Sequence, residues 1–264
     1  MADRQIRLGF IGFGNMAQAI ARGLVGAGAL PGERITACAA HFDKLQSTAG
    51  ELGVNAVETA QEVVEASDFV VIAVKPYLVK QVVEPVRDLL AGKVVISVAF
   101  QCYFDFFEEI LDPSTHHLST IPNTLIAVGA GVVSCEQRHS LTDEEFAVFS
   151  DLFGQVALIE TVETKLLSVA SDVAGCGPAF TAMYLEALAD AAVKHGMPRP
   201  TAYRLASQMI VGTGKLQLAT GKHPGEMKDA VCSPGGATIK GVASLEKNGF
   251  RGAVIGAIDA IEGA

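Results

Sequence analysis

The chain has no tryptophan, charged residues make up only 19% of it, and its five cysteines include no C-x-x-C pair. Each shortage excludes something. Cys38, Cys102, Cys135, Cys176 and Cys232 are odd in number and scattered, so neither a disulfide framework nor a zinc site is encoded; reduced, mostly buried thiols are expected. Positive charge is scarce as well, with 20 Lys and Arg against 29 Asp and Glu, a formal net charge of -9. Nucleic-acid binders and polybasic membrane-surface proteins neutralise phosphates with Lys and Arg, so neither class fits, and an anionic small molecule needs a local positive site. No uncharged apolar run approaches bilayer length; the most apolar stretch, Phe69 to Val74, is strand-sized and ends at Lys75. Met1-Ala2-Asp3-Arg4-Gln5 passes directly into a strand pattern with no room for a cleavable signal, so a soluble, cytoplasmic protein with no membrane or nucleic-acid partner is expected. Low-complexity segments, flexible linkers and short repeats are also missing.

What remains is a chain of 264 residues, half of them hydrophobic, with ample material for a buried core. From residue 6 to about 160, short β-branched runs alternate with helix-period segments, the pattern of parallel βαβ units. Ile6 to Ile11 reads as the first strand, Asn15 to Ala27 as a helix with Met16, Ile20 and Leu24 on one face, and Ile35 to Ala39 as the second strand. Phe69 to Val74 and Val94 to Val98 are apolar throughout, as central parallel strands covered on both faces are. Thr59 with Glu62, and Thr142 with Glu145, have capping-box spacing. Val156 to Ile159 reads as the last strand. From Thr164 the apolar spacing is helical, through an Ala-rich helix carrying Phe180, Met183, Tyr184, Leu188 and Ala191 and a second from about Thr201 to Ala219. The fold class is therefore α/β: an N-terminal Rossmann, doubly wound, mostly parallel sheet over 1–160, followed by an all-α domain over 161–264. So small a helical pack has little core of its own, and it is expected to pair with another subunit as a homodimer or larger homo-oligomer.

Gly12-Phe13-Gly14-Asn15-Met16-Ala17 is a G-x-G-x-x-A fingerprint placed after the first strand and opening a helix. Gly12 permits the tight turn, Gly14 lets backbone approach a diphosphate, and Ala17 allows close helix packing, with helix N-terminal N–H groups facing the phosphates. An acidic residue at the end of the second strand would bind the ribose 2′-hydroxyl of NAD. Here Cys38-Ala39-Ala40-His41 offers no carboxylate before Asp43, while His41 and Lys44 either supply positive charge or donors for a 2′-phosphate or belong to a solvated loop; the pattern favours NADPH, with NADH as the alternative.

Taken with Ala73-Val74-Lys75-Pro76, Ile121-Pro122-Asn123-Thr124, Gly175-Cys176-Gly177-Pro178-Ala179-Phe180 and Ser233-Pro234-Gly235-Gly236-Ala237-Thr238, the chain resembles pyrroline-5-carboxylate reductase over essentially its whole length. The resemblance implies reduction of the cyclic imine pyrroline-5-carboxylate to proline with NADPH or NADH, the last step of proline biosynthesis, on a Rossmann domain joined to a helical dimerisation domain. By position it puts Gly12, Phe13, Gly14, Asn15, Met16 and Ala17 at the diphosphate, and Ala73, Val74, Lys75, Pro76 and Ala99 by the ribose and nicotinamide. It puts Ser233, Gly235, Gly236, Ala237 and Thr238 at the substrate carboxylate. This chain departs from the family pattern at Ala174 and Cys176, where serines are usual, at Phe100-Gln101, which replace a small residue and a glycine, at Leu125 and at Ala60.

Hydride transfer to a C=N bond asks the protein for positioning, exclusion of water and electrostatics. The Ser233 to Gly236 turn ahead of a helix offers consecutive amides to a carboxylate. Thr238 is assigned a hydrogen bond to the ring nitrogen, with helix N-cap as its alternative role. Lys75, at a strand's C-terminal end, faces ligand or serves a structural ion pair. His116 and His117 point apart along a strand, so no metal site is expected. Two other readings stay open: a related reductase of another small imino or keto acid, and a catalytically inactive NADPH-binding dimer.

Overall fold

Short apolar runs separated by amphipathic helices build the first part of the chain. A computed structural model describes residues 6–263; the reading of Met1 to Gln5 lies outside them. In order come β1 (Leu8–Ile11), α1 (Asn15–Gly26), β2 (Ile35–Cys38), α2 (Phe42–Leu52), β3 (Asn55–Ala56), α3 (Ala60–Ala66), β4 (Phe69–Ile72) and α4 (Val79–Val83). There follow β5 (Val94–Ser97), α5 (Phe104–Ile110), β6 (His116–Pro122), β7 (Gly131–Glu136), α6 (Asp143–Phe153) and β8 (Ala157–Val162). Thereafter the chain is helical: α7 (Leu167–Ser171), a π-helical turn (Asp172–Cys176), α8 (Gly177–Lys194), α9 (Arg199–Thr220), α10 (Pro224–Ala230), α11 (Ala237–Lys247) and α12 (Phe250–Glu262).

The strands form one sheet in the order β3-β2-β1-β4-β5-β6-β7-β8. Pairing is parallel from β3 to β6 and between β7 and β8, and antiparallel between β6 and β7. The chain winds outward from β1 to β3, then returns to the middle and winds the other way from β4, which opens a crevice at the carboxyl ends of β1 and β4. Side chains alternate between the two faces of the sheet. Leu8, Phe10, Val71 and Ile96 join Ile20 and Leu24 of α1 and Phe149 of α6 in one core. Ile11, Val70, Ile72 and Val95 join Val63 of α3, Val79 of α4 and Phe107 of α5 in the other. Both expected capping boxes are present, at Thr59–Glu62 and Thr142–Glu145.

The chain divides into two compact units, one ending at Gly175 and one beginning at Cys176. The boundary thus falls later than the expected 160. Residues 161 to 175 stay with the sheet because β8 continues to Val162 and α7 packs on β7 with Leu167 fully buried. In the second unit α8 and α9 pack together around small side chains, and among the described residues its buried apolar side chains are those of Ala189, Ala202 and Ala206. Met183, Leu218, Val231 and Ile255 are exposed. One helical stretch, Thr164–Lys194, is long and apolar enough by length and composition to cross a membrane. The sequence expectation missed it because Asp172 interrupts the uncharged run without lowering the average enough.

Candidate active site

The residues after β1, β2, β4 and β5 lie along one edge of the sheet, because these strands are neighbours and parallel. Gly12 turns there with φ +93°, and its N–H donates to Cys38 O at 3.0 Å. A Cβ on Gly12 would stand 2.6 Å from Ala73 O, so the turn is squeezed between the ends of β2 and β4 and only glycine fits. Gly14 is different: it caps α1 in an extended conformation, and a Cβ there would meet nothing within 4 Å. No side chain caps α1 and no acidic residue stands in its first turn, so its first N–H groups remain for an anion. Gly14 and Asn15 are exposed and Met16 half-buried, whereas Phe13 and Ala17 are buried. Phe13 packs edge-on against Phe10, and its carbonyl accepts from Gln18 Nε2 at 2.9 Å. The structure therefore splits the fingerprint into residues that hold the turn from behind and residues that face outward.

Ala73 N–H donates to Ile11 O at 2.9 Å, which keeps the end of β4 beside the end of β1. Ala73 and Val74 are half-buried; Lys75 and Pro76 are exposed and lead into a single 3-10 turn, Pro76–Leu78. Among the described residues Lys75 forms no ion pair. After β5, Ala99 is buried and its N–H donates to Ser97 Oγ at 3.2 Å. Two residues on, Gln101 adopts φ +64°, the left-handed conformation that a glycine would take without strain. At the end of β2 the Cys38 thiol is pushed up by burial, and no carboxylate is present before Asp43. His41 is exposed and stands at the N-cap of α2 without using its side chain as a cap.

The second unit carries the C-terminal turn. Gly236 N–H donates to Ser233 O at 3.0 Å, with Pro234 and Gly235 between them and Gly235 at φ +71°, the features of a type II turn. Gly236, not Thr238, is the N-cap of α11, and no side chain fills that role. The cap alternative for Thr238 is thereby corrected: Thr238 is exposed within the first helical turn. His223 caps α10 by accepting from Gly225 N–H at 3.0 Å, and the Lys228 ammonium is raised by its bond to Asp229. Cys176 and Cys232 are half-buried. His116 and His117 do point apart, His116 Nδ1 lying 2.7 Å from Glu145 and His117 Nε2 2.8 Å from Glu108. Among the described residues no group of three or more His, Cys, Asp or Glu could hold a metal ion.

Two buried polar residues were given no role by sequence reasoning. Glu136 accepts from Phe104 N–H at 2.7 Å and Thr164 Oγ1 at 2.6 Å. Asn123 bonds to both Val132 and Ala174. Their partners are distant in sequence, so no local spacing marks them.

Residues 164–263 match the family description "Pyrroline-5-carboxylate reductase dimerisation", and residues 7–101 match "NADP oxidoreductase coenzyme F420-dependent". A relative from Treponema pallidum named pyrroline-5-carboxylate reductase is 42% identical, covering 97% of this chain and 98% of its own. One of the same name from Escherichia coli is 39% identical, covering 96% and 94%. Among solved structures, the Plasmodium falciparum pyrroline carboxylate reductase with NADP bound is similar with a TM-score of 0.84 and 29% identity, covering 97% of this chain and 95% of that one.

Proposed function

The chain belongs to the pyrroline-5-carboxylate reductase family, and from that premise we propose that it reduces 1-pyrroline-5-carboxylate to L-proline with NADPH. One observation supports this above the others. The N-terminus of α1 lies at the reversal point of a doubly wound sheet, uncapped by any side chain and open in front of Gly14, which suits a dinucleotide diphosphate. NADPH, when bound, supplies the hydride. The protein's part is to place, hold and shield.

In this proposal Gly12 shapes the turn, the amides of Gly14, Asn15 and Met16 bind the diphosphate, and Phe13 and Ala17 hold that loop from the core side. Ala73, Val74, Lys75, Pro76 and Ala99 border the ribose and nicotinamide. His41 faces the 2′-phosphate; the missing carboxylate at the end of β2 favours NADPH over NADH. The amides of the turn formed by Ser233, Gly235, Gly236 and Ala237 take the substrate carboxylate, with the uncapped start of α11 adding its dipole. Thr238, free of capping duty, donates a hydrogen bond to the ring nitrogen and steadies the imine. The second unit, from Cys176, serves as dimerisation and substrate-binding domain of a cytoplasmic homodimer or larger homo-oligomer. Its exposed apolar side chains and small alanine core fit a surface made for another copy.

Steady-state oxidation of NADPH and of NADH against pyrroline-5-carboxylate, piperideine-6-carboxylate and several 2-keto acids tests this. Turnover is expected on pyrroline-5-carboxylate with the higher kcat/KM for NADPH. Inactivity on both cyclic imines with turnover of a keto acid would transfer the assignment to the other substrate class. Tight NADPH binding with no turnover at all would mark a non-catalytic dimer.

A further inference from the structure

Asn123 follows β6 directly, on the sheet edge that carries the candidate cofactor loops, and it is buried. Its N–H donates to Val132 O at 3.0 Å, but its own carbonyl turns aside to accept from Ile126 N–H at 3.3 Å. The side chain fills the ladder position thus vacated, with Val132 N–H donating to Asn123 Oδ1 at 3.1 Å. Its Nδ2 then donates to Ala174 O at 2.9 Å. Ala174 lies in the π-helical turn Asp172–Cys176 that opens into α8. In an α-helix the Ala174 carbonyl would accept from residue 178, and residue 178 is proline, which has no N–H and whose ring crowds that carbonyl.

We propose that Asn123 is a positioning residue for the reduction: its amide takes up the carbonyl whose α-helical donor Pro178 removes and so holds the π turn leading into Gly175-Cys176-Gly177-Pro178 in one geometry. This rests on the pyrroline-5-carboxylate reductase reading of the site. Only an asparagine-like side chain serves, because one atom must accept from Val132 while its neighbour donates to Ala174. π turns recur at functional sites, where the widened ring reorients backbone groups. Asn123 reaches this turn from the β6 end, so it ties Ala174 to the end of that strand.

Asn123→Asp is the sharp perturbation, since it keeps size and the bond from Val132 but sets a carboxylate oxygen against the Ala174 carbonyl. The expected result is a loss in kcat of about tenfold or more, the scale on which misplacement remote from the chemistry acts. The NADPH dissociation constant stays within about twofold, because the amide does not touch the cofactor. A lowered Tm with unchanged kcat would reduce Asn123 to a structural residue and overturn the proposal. Pro178→Ala provides the second arm by returning a helical N–H to Ala174. In that background Asn123→Asp is expected to cost less than about threefold, the non-additivity of two groups sharing one partner. An equal loss in both backgrounds overturns the orphaned-carbonyl argument, as does failure of the double variant to fold where Pro178→Ala folds. Amide hydrogen exchange over residues 174–180 is read on the same proteins. Wild-type inactivity on the imine would defeat the functional reading alone, and unchanged exchange in Asn123→Asp would defeat the link itself.

Discussion

The two glycines of the fingerprint are expected to fail in opposite ways when each is changed to alanine. At Gly12 the backbone has φ +93° and the added Cβ would lie 2.6 Å from Ala73 O and 2.8 Å from Val74 Cγ1. The unfavourable φ costs about 1–2 kcal/mol, and the overlap with a backbone that cannot swing aside costs roughly 1–3 kcal/mol more. A loss near 3 kcal/mol lowers the melting temperature of a chain this size by roughly 6–12 °C. At Gly14, φ is -78° and the added Cβ meets nothing. There the reduced freedom of the unfolded chain stabilises by about 0.4–1 kcal/mol, while alanine's poorer performance at an N-cap removes a similar amount. Stability is therefore almost unchanged, but the methyl group occupies the approach of the diphosphate. The NADPH dissociation constant should rise about tenfold or more, some 1.4 kcal/mol. Thermal or urea unfolding of the ligand-free proteins, with NADPH titration followed by fluorescence, reads both effects. Wild-type NADPH affinity in Gly14→Ala would refute the diphosphate placement, and a wild-type melting temperature in Gly12→Ala would refute the packing argument.

Gln101→Gly should relieve the left-handed strain at φ +64° and raise stability by up to about 1 kcal/mol, seen as a higher melting temperature; a lower one counts against it. Thr238→Ala should reduce kcat with little change in melting temperature, since Gly236 caps α11, and unchanged kcat and KM would remove Thr238 from the site. His117 is buried and its imidazole is held below the usual histidine range, chiefly by desolvation, although Glu108 bonds to it. The folded state keeps it neutral while the unfolded state takes a proton below about pH 6.5, so stability present above that pH is lost as pH falls from there toward the folded value. In His117→Gln the slope of unfolding free energy just below about pH 6.5 should flatten; a slope equal to wild type would place the proton uptake elsewhere.

The central strands were legible because burial on both faces leaves no room for a polar side chain, and the unbroken runs Phe69 to Ile72 and Val94 to Ile96 record it directly. Their ends were not. The first strand begins at Leu8 instead of Ile6 because Arg7 N–H donates to the Asp68 carboxylate at 3.0 Å, while its guanidinium grips the same group. β7 was not read as a strand, and of β6 only His116-His117 was taken as extended, with no place in the sheet. β6 includes His-His-Leu-Ser-Thr, with no apolar run, and it lies buried because Ser119 and Thr120 donate to the carbonyls of Cys102 and Ser97 at 3.2 and 2.8 Å. Only tertiary partners make such a segment a central strand, since a buried hydroxyl is tolerable once bonded. The antiparallel turn from β6 into β7 follows from the same blindness to distant pairing.

Site residues divide along the same line between local and distant causes. Gly12, Gly14 and the Ser233 to Gly236 turn were readable because their chemistry is backbone chemistry: positive φ, close approach and uncapped amides are consequences of having glycine at a given spacing. Thr238 was readable as a site candidate but not in its competition with the cap, which Gly236 settles by occupying that position one residue before the helix begins. Asn123 bonds to a residue 51 positions away, and nothing near it in sequence demands that partner. The demand is written instead at Pro178, where a proline four residues after Ala174 leaves a helical carbonyl in need of a donor. Where a helical turn runs on into such a proline without a break, the carbonyl four residues before it loses its α-helical donor, and a buried asparagine after a strand is the kind of residue that supplies another.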